Sequence, residues 1–373
     1  MSLLAGGTVG VGMDPAKFTF DVTAAPSCTN DYVAFNTSLV ASPTSPSIVA
    51  FDNLYTTQGS VGGFCSADGP SVKWAYRVTT AGNPVTSVVL SGDGTQVAFV
   101  ESRTNVNGGS ILHILKWKPG AGLTVQGTVA APALPDTTML AGQAWNTTNC
   151  PAANSCIVNV TFSGARPDTN SAPFYDYAHD VIYVGDDNGS VHKFTGVFLG
   201  TPTEDGAPWP ISVEAGSILT GPIYDSVSGN IFVGGSFGLL RYIMESNSVV
   251  GGCENLGVPP CVGGPNQRIG GGNSVITDAP VVDGSTQQVI VVATDDSFNG
   301  TVEQVDTALS TPVRFKIGGS TGGTLPIYSG AFDNTYFTSA KPTISGHMYV
   351  CGRLPPTLID RPYINFRSTA TAS

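Results

Sequence analysis

The chain has 373 residues, of which 46 are glycine and 26 are proline; 12% are charged, and the formal net charge is −11. The acidic balance and the shortage of Lys and Arg argue against binding to the phosphate backbone of nucleic acids. A hydrophobic content of 41% is too high for a disordered chain, and no apolar run has the length of a membrane-spanning helix. Long amphipathic helical patterns are missing, so we expect a large all-β protein.

The N-terminal segment is expected to lie outside the fold. It begins MSLLAGG and has neither the basic region nor the long apolar core of an intact signal peptide. We interpret residues 1–15 as an N-terminal extension that includes a cloning remnant. Residues 16–373 are then expected to form a single domain.

A hairpin pattern recurs along the chain, with two β-rich runs separated by a polar or Gly-rich turn. In chain order the copies span 32–51, 96–117, 181–194, 230–243, 289–305 and 347–366. Most copies begin 49 to 64 residues after the previous one, but 85 residues separate Val97 from Ile182. The excess in that interval is expected to lie in residues 138–170.

Two further strands are predicted in most repeats. A short apolar run, often entered through a proline, precedes each hairpin from the second onward, at 87–94, 172–180, 221–229, 279–287 and 341–346. Edge strands are predicted before these runs, at 73–78, 123–129, 210–215 and 313–318. Four antiparallel strands repeated at this spacing are typical of a β-propeller.

The repeat count predicts six blades of four strands. The last copy leaves no outer strand, so we expect KFTFDV (17–22) to supply it and to close the ring, which removes the free sheet edges. The alternative is a seventh, irregular blade around the strand-like segment CIVNVTF (156–162).

Two segments resemble known propeller families. The segment PFYDYAHDVIYVGDDNGSVHKFTG (173–196) resembles the quinoprotein-like repeat of the pyrroloquinoline quinone alcohol dehydrogenase superfamily. SVVLSGDGTQVAFVE (87–101) is similar to the Ser-x-Asp-Gly turn of Tol-B-like and lactonase-like propellers. Across its length the chain looks like secreted bacterial propeller proteins. The quinoprotein family stacks its cofactor on a Trp and an adjacent-cysteine disulfide, and this chain has no Cys-Cys pair, so a quinone-dependent dehydrogenase is the least favoured function.

Seven cysteines indicate an oxidising compartment. Cys150 and Cys156, and Cys253 and Cys261, are close in sequence, while Cys28 and Cys65 flank the first hairpin. We predict three disulfides, with Cys351 left as a buried, inert thiol. This pattern favours a secreted or periplasmic location.

The loops that lead into the innermost strands are the predicted ligand site, because they form one mouth of a propeller channel. These loops and one upstream loop carry a polar set with one acid, one base and one aromatic platform: Ser87, Ser171, Trp209, Thr220, Asp278 and Lys341. Such a mouth suits a small polar ligand or a sugar. The alternative is that these side chains only solvate the channel.

We expect no cofactor or metal, with a bound calcium ion as the alternative. Its ligands would be Asp295, Asp296, Asn299 and Glu303, although Asp and Asn also favour hairpin turns for local reasons. The function favoured by the sequence is a non-catalytic binding or cell-envelope-associated module for a small polar ligand or for a protein or carbohydrate partner. The alternative is a propeller hydrolase or lyase on carbohydrate or lactone substrates, with calcium where needed.

Overall fold

The fold is described from a computed structural model. The residues it describes are 13–19, 25–55, 65, 70–78, 81–103, 108–123, 131–164, 168–245, 253, 258–269, 272–276, 278–284, 287–294, 300–309, 313–316, 327–332, 347–352 and 364–367. Every regular element among these residues is a β-strand. Consequently the described part of the chain contains no helix with the length and apolarity needed to cross a membrane.

The first sheet has the order β1-β2-β3-β4 and contains β1 (Ala16–Phe18), β2 (Tyr32–Asn36), β3 (Ile48–Asp52) and β4 (Ser71–Tyr76). Strand β1 pairs antiparallel with β2, and Phe18 lies opposite Tyr32. The prediction that 17–22 closes the last blade is therefore wrong for residues 17 and 18, and residues 20–22 lie outside the described part. Pairing of β1 with β2 closes a short loop and costs little conformational entropy. Pairing with the last blade would close a loop of nearly the whole chain and cost more.

The second sheet corrects two predictions. It contains β5 (Val89–Leu90), β6 (Gln96–Glu101), β7 (Ile111–Lys116), β8 (Thr137–Met139) and β9 (Cys156–Thr161), in the order β5-β6-β7-β9-β8.

The CIVNVTF segment is thus the fourth strand of the second blade and not part of a seventh blade. It pairs with β7 along its whole length, with His113 opposite Asn159. The edge strand expected at 123–129 does not hold that position, and residues 124–129 lie outside the described part. The extra residues of this repeat are inserted between β7 and β9. Strand β9 joins this sheet because the pairing buries Ile157, Val158 and Val160. Its sequence pattern alone does not identify the sheet that it joins.

The third and fourth sheets follow the predicted repeat. The third contains β10 (Phe174–Asp176), β11 (Val181–Gly185), β12 (Ser190–Thr195), β13 (Thr203–Glu204) and β14 (Ile211–Ser212); both β13 and β14 pair with β12. The fourth has the order β15-β16-β17-β18 and contains β15 (Ile223–Asp225), β16 (Asn230–Gly234), β17 (Leu239–Met244) and β18 (Cys261–Arg268). The sequence did not predict β18, whose Gly-Gly-Pro composition is poor in strand-forming residues.

The last two sheets complete a series of six within the described residues. The fifth contains β19 (Val281–Asp283), β20 (Gln288–Thr294), β21 (Gly300–Asp306) and β22 (Val313–Lys316), and the sixth contains β23 (Ile327–Phe332), β24 (His347–Gly352) and β25 (Ile364–Arg367). The sheets follow one another in chain order as antiparallel meanders, with one parallel pair between β8 and β9. Among the described residues the protein is therefore all-β with six sequential sheets, as predicted for a β-propeller. The second and third sheets have five strands and the sixth shows three, where four were predicted.

The chain divides into two compact units. Unit 1 comprises residues 1–182 and 192–206, and unit 2 comprises residues 183–191 and 207–373. In unit 1, the first two sheets contribute to one apolar cluster that includes Ile48, Trp74, Val97, Phe99 and Leu115. In unit 2, the fourth and fifth sheets contribute to a second cluster that includes Phe232, Leu240, Ile276, Val289 and Val291.

The three predicted disulfides are confirmed. Cys28 is bonded to Cys65, Cys150 to Cys156 and Cys253 to Cys261, with Cα–Cα distances of 5.6, 5.9 and 5.7 Å. Cys351 lies on β24, so its position on a strand is as expected. Its reactivity stays a prediction.

Candidate functional site

The predicted entry-loop residues occupy equivalent positions in four sheets. Ser87 lies two residues before β5, while Ser171, Thr220 and Asp278 each lie three residues before β10, β15 and β19. Ser87 and Ser171 belong to unit 1, whereas Thr220, Asp278 and Trp209 belong to unit 2. Lys341 lies outside the described residues.

Several of these side chains bind nearby backbone. Ser171 is fully buried, and the Oγ atom of Ser87 accepts a hydrogen bond from the Asp14 amide at 2.9 Å. Thr220 Oγ1 accepts from the Gly234 amide at 3.1 Å, and Asp278 Oδ1 accepts from the Ala279 amide at 2.8 Å. Trp209 is 7% exposed. These contacts stabilise the loops, and a role in ligand binding stays a prediction.

The calcium prediction also stays untested. Asp295, Asp296 and Asn299 lie outside the described residues. Glu303 is buried on β21, where it lies opposite Val291 on β20. Within the described ranges, no group of three or more His, Cys, Asp or Glu side chains is arranged to hold a metal ion.

A cleft of about 640 Å³ opens in unit 1. We call it the aromatic cleft and define it by six of its lining residues: Phe18, Tyr32, Asp52, Lys73, Asp93 and Trp117. They come from β1, β2, the end of β3, β4, the β5–β6 turn and the residue that follows β7. The cleft therefore draws on both of the first two sheets.

Aromatic rings form one wall of the cleft. The ring of Tyr32 lies 5.5 Å from that of Phe18 and 5.3 Å, edge-on, from that of Trp117. Trp117 in turn stacks on the buried Trp74, with centroids 5.7 Å apart. Ring pairs at these separations attract each other beyond their area burial, so the wall is held in one arrangement.

The carbonyl of Gly94 fixes the two polar rings. It accepts a hydrogen bond from Tyr32 Oη at 2.7 Å and another from Trp117 Nε1 at 3.1 Å. Gly94 has a φ of +68°, a conformation that glycine adopts without the steric cost of a Cβ. A Cβ at this position would lie 2.5 Å from Phe18 ring atoms. The turn therefore needs glycine for two reasons, its backbone angle and the approach of Phe18.

A lysine ammonium lies against the aromatic wall. Lys73 Nζ lies 5.7 Å from the Tyr32 centroid and 5.5 Å from the Trp117 centroid, within the range of cation–π attraction. It also lies 3.7 Å from the Asp52 carboxylate and donates to the Thr29 carbonyl. The Lys73 side chain is only 10% exposed, so the cation is part of the cleft wall.

Two carboxylates line the polar side. Asp52 Oδ1 accepts hydrogen bonds from Ser71 Oγ at 2.6 Å and from Asn53 Nδ2 at 3.2 Å. Asp93 Oδ1 accepts from Ser91 Oγ at 2.6 Å and from the Thr95 amide at 3.0 Å. Both side chains are oriented by neighbours in their own sheet.

Burial and hydrogen bonding set the charge states in the cleft. Partial burial acts to raise the pKa of Asp93, but the hydrogen bonds from Ser91 and Thr95 outweigh it and hold that pKa below its usual value. Burial raises the pKa of Tyr32. At neutral pH, Asp93 is therefore an anionic acceptor and Tyr32 a neutral hydroxyl donor.

The sequence contained only part of the signal for this cleft. The Ser91–Gly94 turn and the strand containing Lys73 and Trp74 were predicted, but the tryptophans follow no repeat position. Trp117 and Tyr32 are 85 residues apart, and only the packing of the first two sheets brings them into contact.

The chain is similar to known proteins in structure but not in sequence. No family model matches the chain, and no curated protein matches it. The crystal structure of Sqt1 from Chaetomium thermophilum matches 87% of this chain and 64% of its own, with 11% sequence identity and a TM-score of 0.48.

The structure of Chaetomium thermophilum Sqt1 bound to the N-terminus of the ribosomal protein L10 matches 87% of this chain and 67% of its own, with the same identity and TM-score. The chain thus spans less than two thirds of the first of these chains. Similarity at this level gives no information on what the present protein binds.

Proposed function

We propose that the protein is a non-catalytic binding module that holds a small polar ligand in the aromatic cleft of unit 1. The observation that carries this proposal is the juxtaposition of an aromatic wall with charged side chains that are already oriented by hydrogen bonds. Ligand sites combine apolar surface with a few well-placed polar groups. A volume of about 640 Å³ lies within the roughly 300–1,000 Å³ of typical ligand pockets.

Pre-ordered side chains favour binding. The carbonyl of Gly94 holds Tyr32 and Trp117, and the hydroxyl of Ser71 holds Asp52. These groups do not have to be ordered when a ligand arrives, which reduces the entropic cost of association. The cleft is consistent with recognition without a chemical step.

We also propose that the protein works in a secreted or periplasmic setting, attached to or facing the cell envelope. Three disulfides among the described residues support this, because such bonds persist in oxidising compartments. An intact-mass measurement under non-reducing conditions on protein isolated from its native source should find six of the seven cysteines oxidised.

The resemblance of residues 173–196 to the quinoprotein-like repeat supports a place in that propeller superfamily and remains a prediction.

The binding proposal is tested by a screen of small polar compounds with ligand-observed NMR. Compounds that bind should lose their signal changes with Trp117→Leu and retain them with Trp145→Leu. Trp145 is a matched control, since it lies in unit 1 outside the cleft and donates its Nε1–H to the Val197 carbonyl at 2.7 Å. Thermal melts would establish that both variants are folded. Binding that is insensitive to Trp117→Leu would place the ligand elsewhere and refute the proposal.

A further inference from the structure

The charges in the aromatic cleft restrict the ligands that it can take. Lys73 already holds the cation position beside Tyr32 and Trp117. A positively charged ligand group would compete with this resident ammonium for the same rings and would be repelled by it. The wall that would otherwise attract a cation is therefore occupied by the protein itself.

Anionic ligands are disfavoured for the complementary reason. The Lys73 charge lies 3.7 Å from the Asp52 carboxylate, and its ammonium donates to the Thr29 carbonyl. Asp93 adds a second carboxylate to the lining, and its lowered pKa keeps it ionised. An anion would thus approach two carboxylates while the only lysine in the described lining is already compensated.

Neutral hydroxyl groups fit this lining. A hydroxyl both donates and accepts hydrogen bonds, so it can donate to Asp52 or Asp93 and accept from Lys73. The amide side chain of Asn30 also lines the cleft and can do either. A sugar carries several such hydroxyls together with apolar C–H faces, which suit the aromatic wall.

We infer that the aromatic cleft binds a neutral sugar and that Lys73 is the residue that determines this specificity by excluding cationic ligands. This inference rests on the proposed function of the cleft as a ligand-binding site. It adds the class of ligand. It also assigns to Lys73 a role in selecting ligands, which a lysine that only formed a structural ion pair with Asp52 would not have.

The test uses the full chain with three oligosaccharide sets of matched length: neutral hexose and pentose oligomers, uronate oligomers and glucosamine oligomers. Binding is measured by calorimetry at constant pH and salt for the wild type, Lys73→Met and Lys73→Arg. Lys118→Met is the control, since Lys118 pairs with Asp136 at 2.7 Å and is not among the cleft-lining residues. Thermal melts and circular dichroism check that each variant is folded.

The wild type should bind members of the neutral set and neither charged set. Lys73→Met should gain affinity for glucosamine oligomers by about tenfold or more, because it frees the aromatic rings and leaves both carboxylates uncompensated. Lys73→Arg should keep the wild-type preference, and so should Lys118→Met. If Lys73→Met does not fold, Lys73→Gln, which also lacks the charge, replaces it. Continued exclusion of glucosamine oligomers by a folded variant without the Lys73 charge would overturn the role assigned to Lys73.

Two kinds of failure are distinguishable. Preferential binding of uronate or glucosamine oligomers by the wild type, lost with Trp117→Leu, would overturn the inference and leave the cleft as the ligand site. Lack of binding to all three sets would also overturn the inference. In that case the proposed function stands only if the screen of small polar compounds finds a ligand that depends on Trp117.

Discussion

Replacement of Gly94 by alanine should destabilise unit 1 through two separable effects. The first is the backbone angle, since a φ of +68° costs about 1–2 kcal/mol for a residue that carries a Cβ. The second is steric, because the new Cβ would lie 2.5 Å from Phe18 ring atoms. Displacement of Phe18 amounts to overpacking, which typically costs about 1–3 kcal/mol. The expected loss in the free energy of unfolding is therefore about 2–5 kcal/mol.

Gly142→Ala is the matched control for this prediction. Gly142 has a φ of +82°, and a Cβ placed there meets no atom within 4 Å. It should cost only the backbone contribution of about 1–2 kcal/mol. Urea unfolding of both variants, followed by tryptophan fluorescence and by circular dichroism, measures the difference.

Ligand binding provides a second readout of the same variants. The carbonyl of Gly94 orients Tyr32 and Trp117, so Gly94→Ala should weaken binding in the aromatic cleft, whereas Gly142→Ala should not. Equal destabilisation by the two variants, within about 0.5 kcal/mol, would refute the steric contribution of Phe18. Unchanged binding with Gly94→Ala would show that the carbonyl does not position the rings.

Three further predictions concern stability. Replacement of both cysteines by serine should lower the free energy of unfolding by about 4 kcal/mol for the Cys28–Cys65 pair and by about 2 kcal/mol for the Cys150–Cys156 pair. The pairs are separated by 37 and 6 residues, and the loop entropy that a disulfide removes from the unfolded chain grows with loop length. Equal losses in denaturant unfolding would contradict this. Asp180→Ala should lower the free energy of unfolding by about 3 kcal/mol or more, and Asp180→Asn by less. The Asp180 carboxylate accepts one hydroxyl and three backbone amide hydrogen bonds at 2.8–3.1 Å, and hydrogen bonds to charged groups are the stronger ones. Identical melting temperatures of the two variants would contradict this. Burial raises the pKa of Glu214 and outweighs the opposing effects of Ser217, Arg241 and Arg268. The folded state therefore binds the proton more tightly than the unfolded state, and the protein loses stability as the pH rises through the folded pKa of Glu214. Glu214→Gln should therefore raise the melting temperature relative to wild type more at pH 8 than at pH 4, and a difference that is independent of pH would exclude this effect.

Local pattern was sufficient to predict much of the fold. The hairpins predicted at 96–117 and 230–243 are observed, and the strands predicted at 73–78 and 313–318 correspond to β4 and β22. All occur where β-rich runs alternate with Gly, Asp and Ser turns, since these preferences act over a few residues. The cysteine pairs were predictable for a similar reason, because two of them are separated by only 6 and 8 residues. Sequence alone therefore determined the all-β class, the six repeats and the disulfides.

Tertiary structure decided which strands pair across longer distances. Residues 16–18 join the first sheet, and Cys156–Thr161 completes the second, although the sequence patterns of both segments would also fit another blade. A strand's period-two pattern indicates which side chains are buried but does not identify the neighbouring strand. The aromatic cleft has the same origin. Tyr32, Lys73 and Trp117 follow no common motif, and they come together because packing of the first two sheets buries Trp74 and the apolar residues around it.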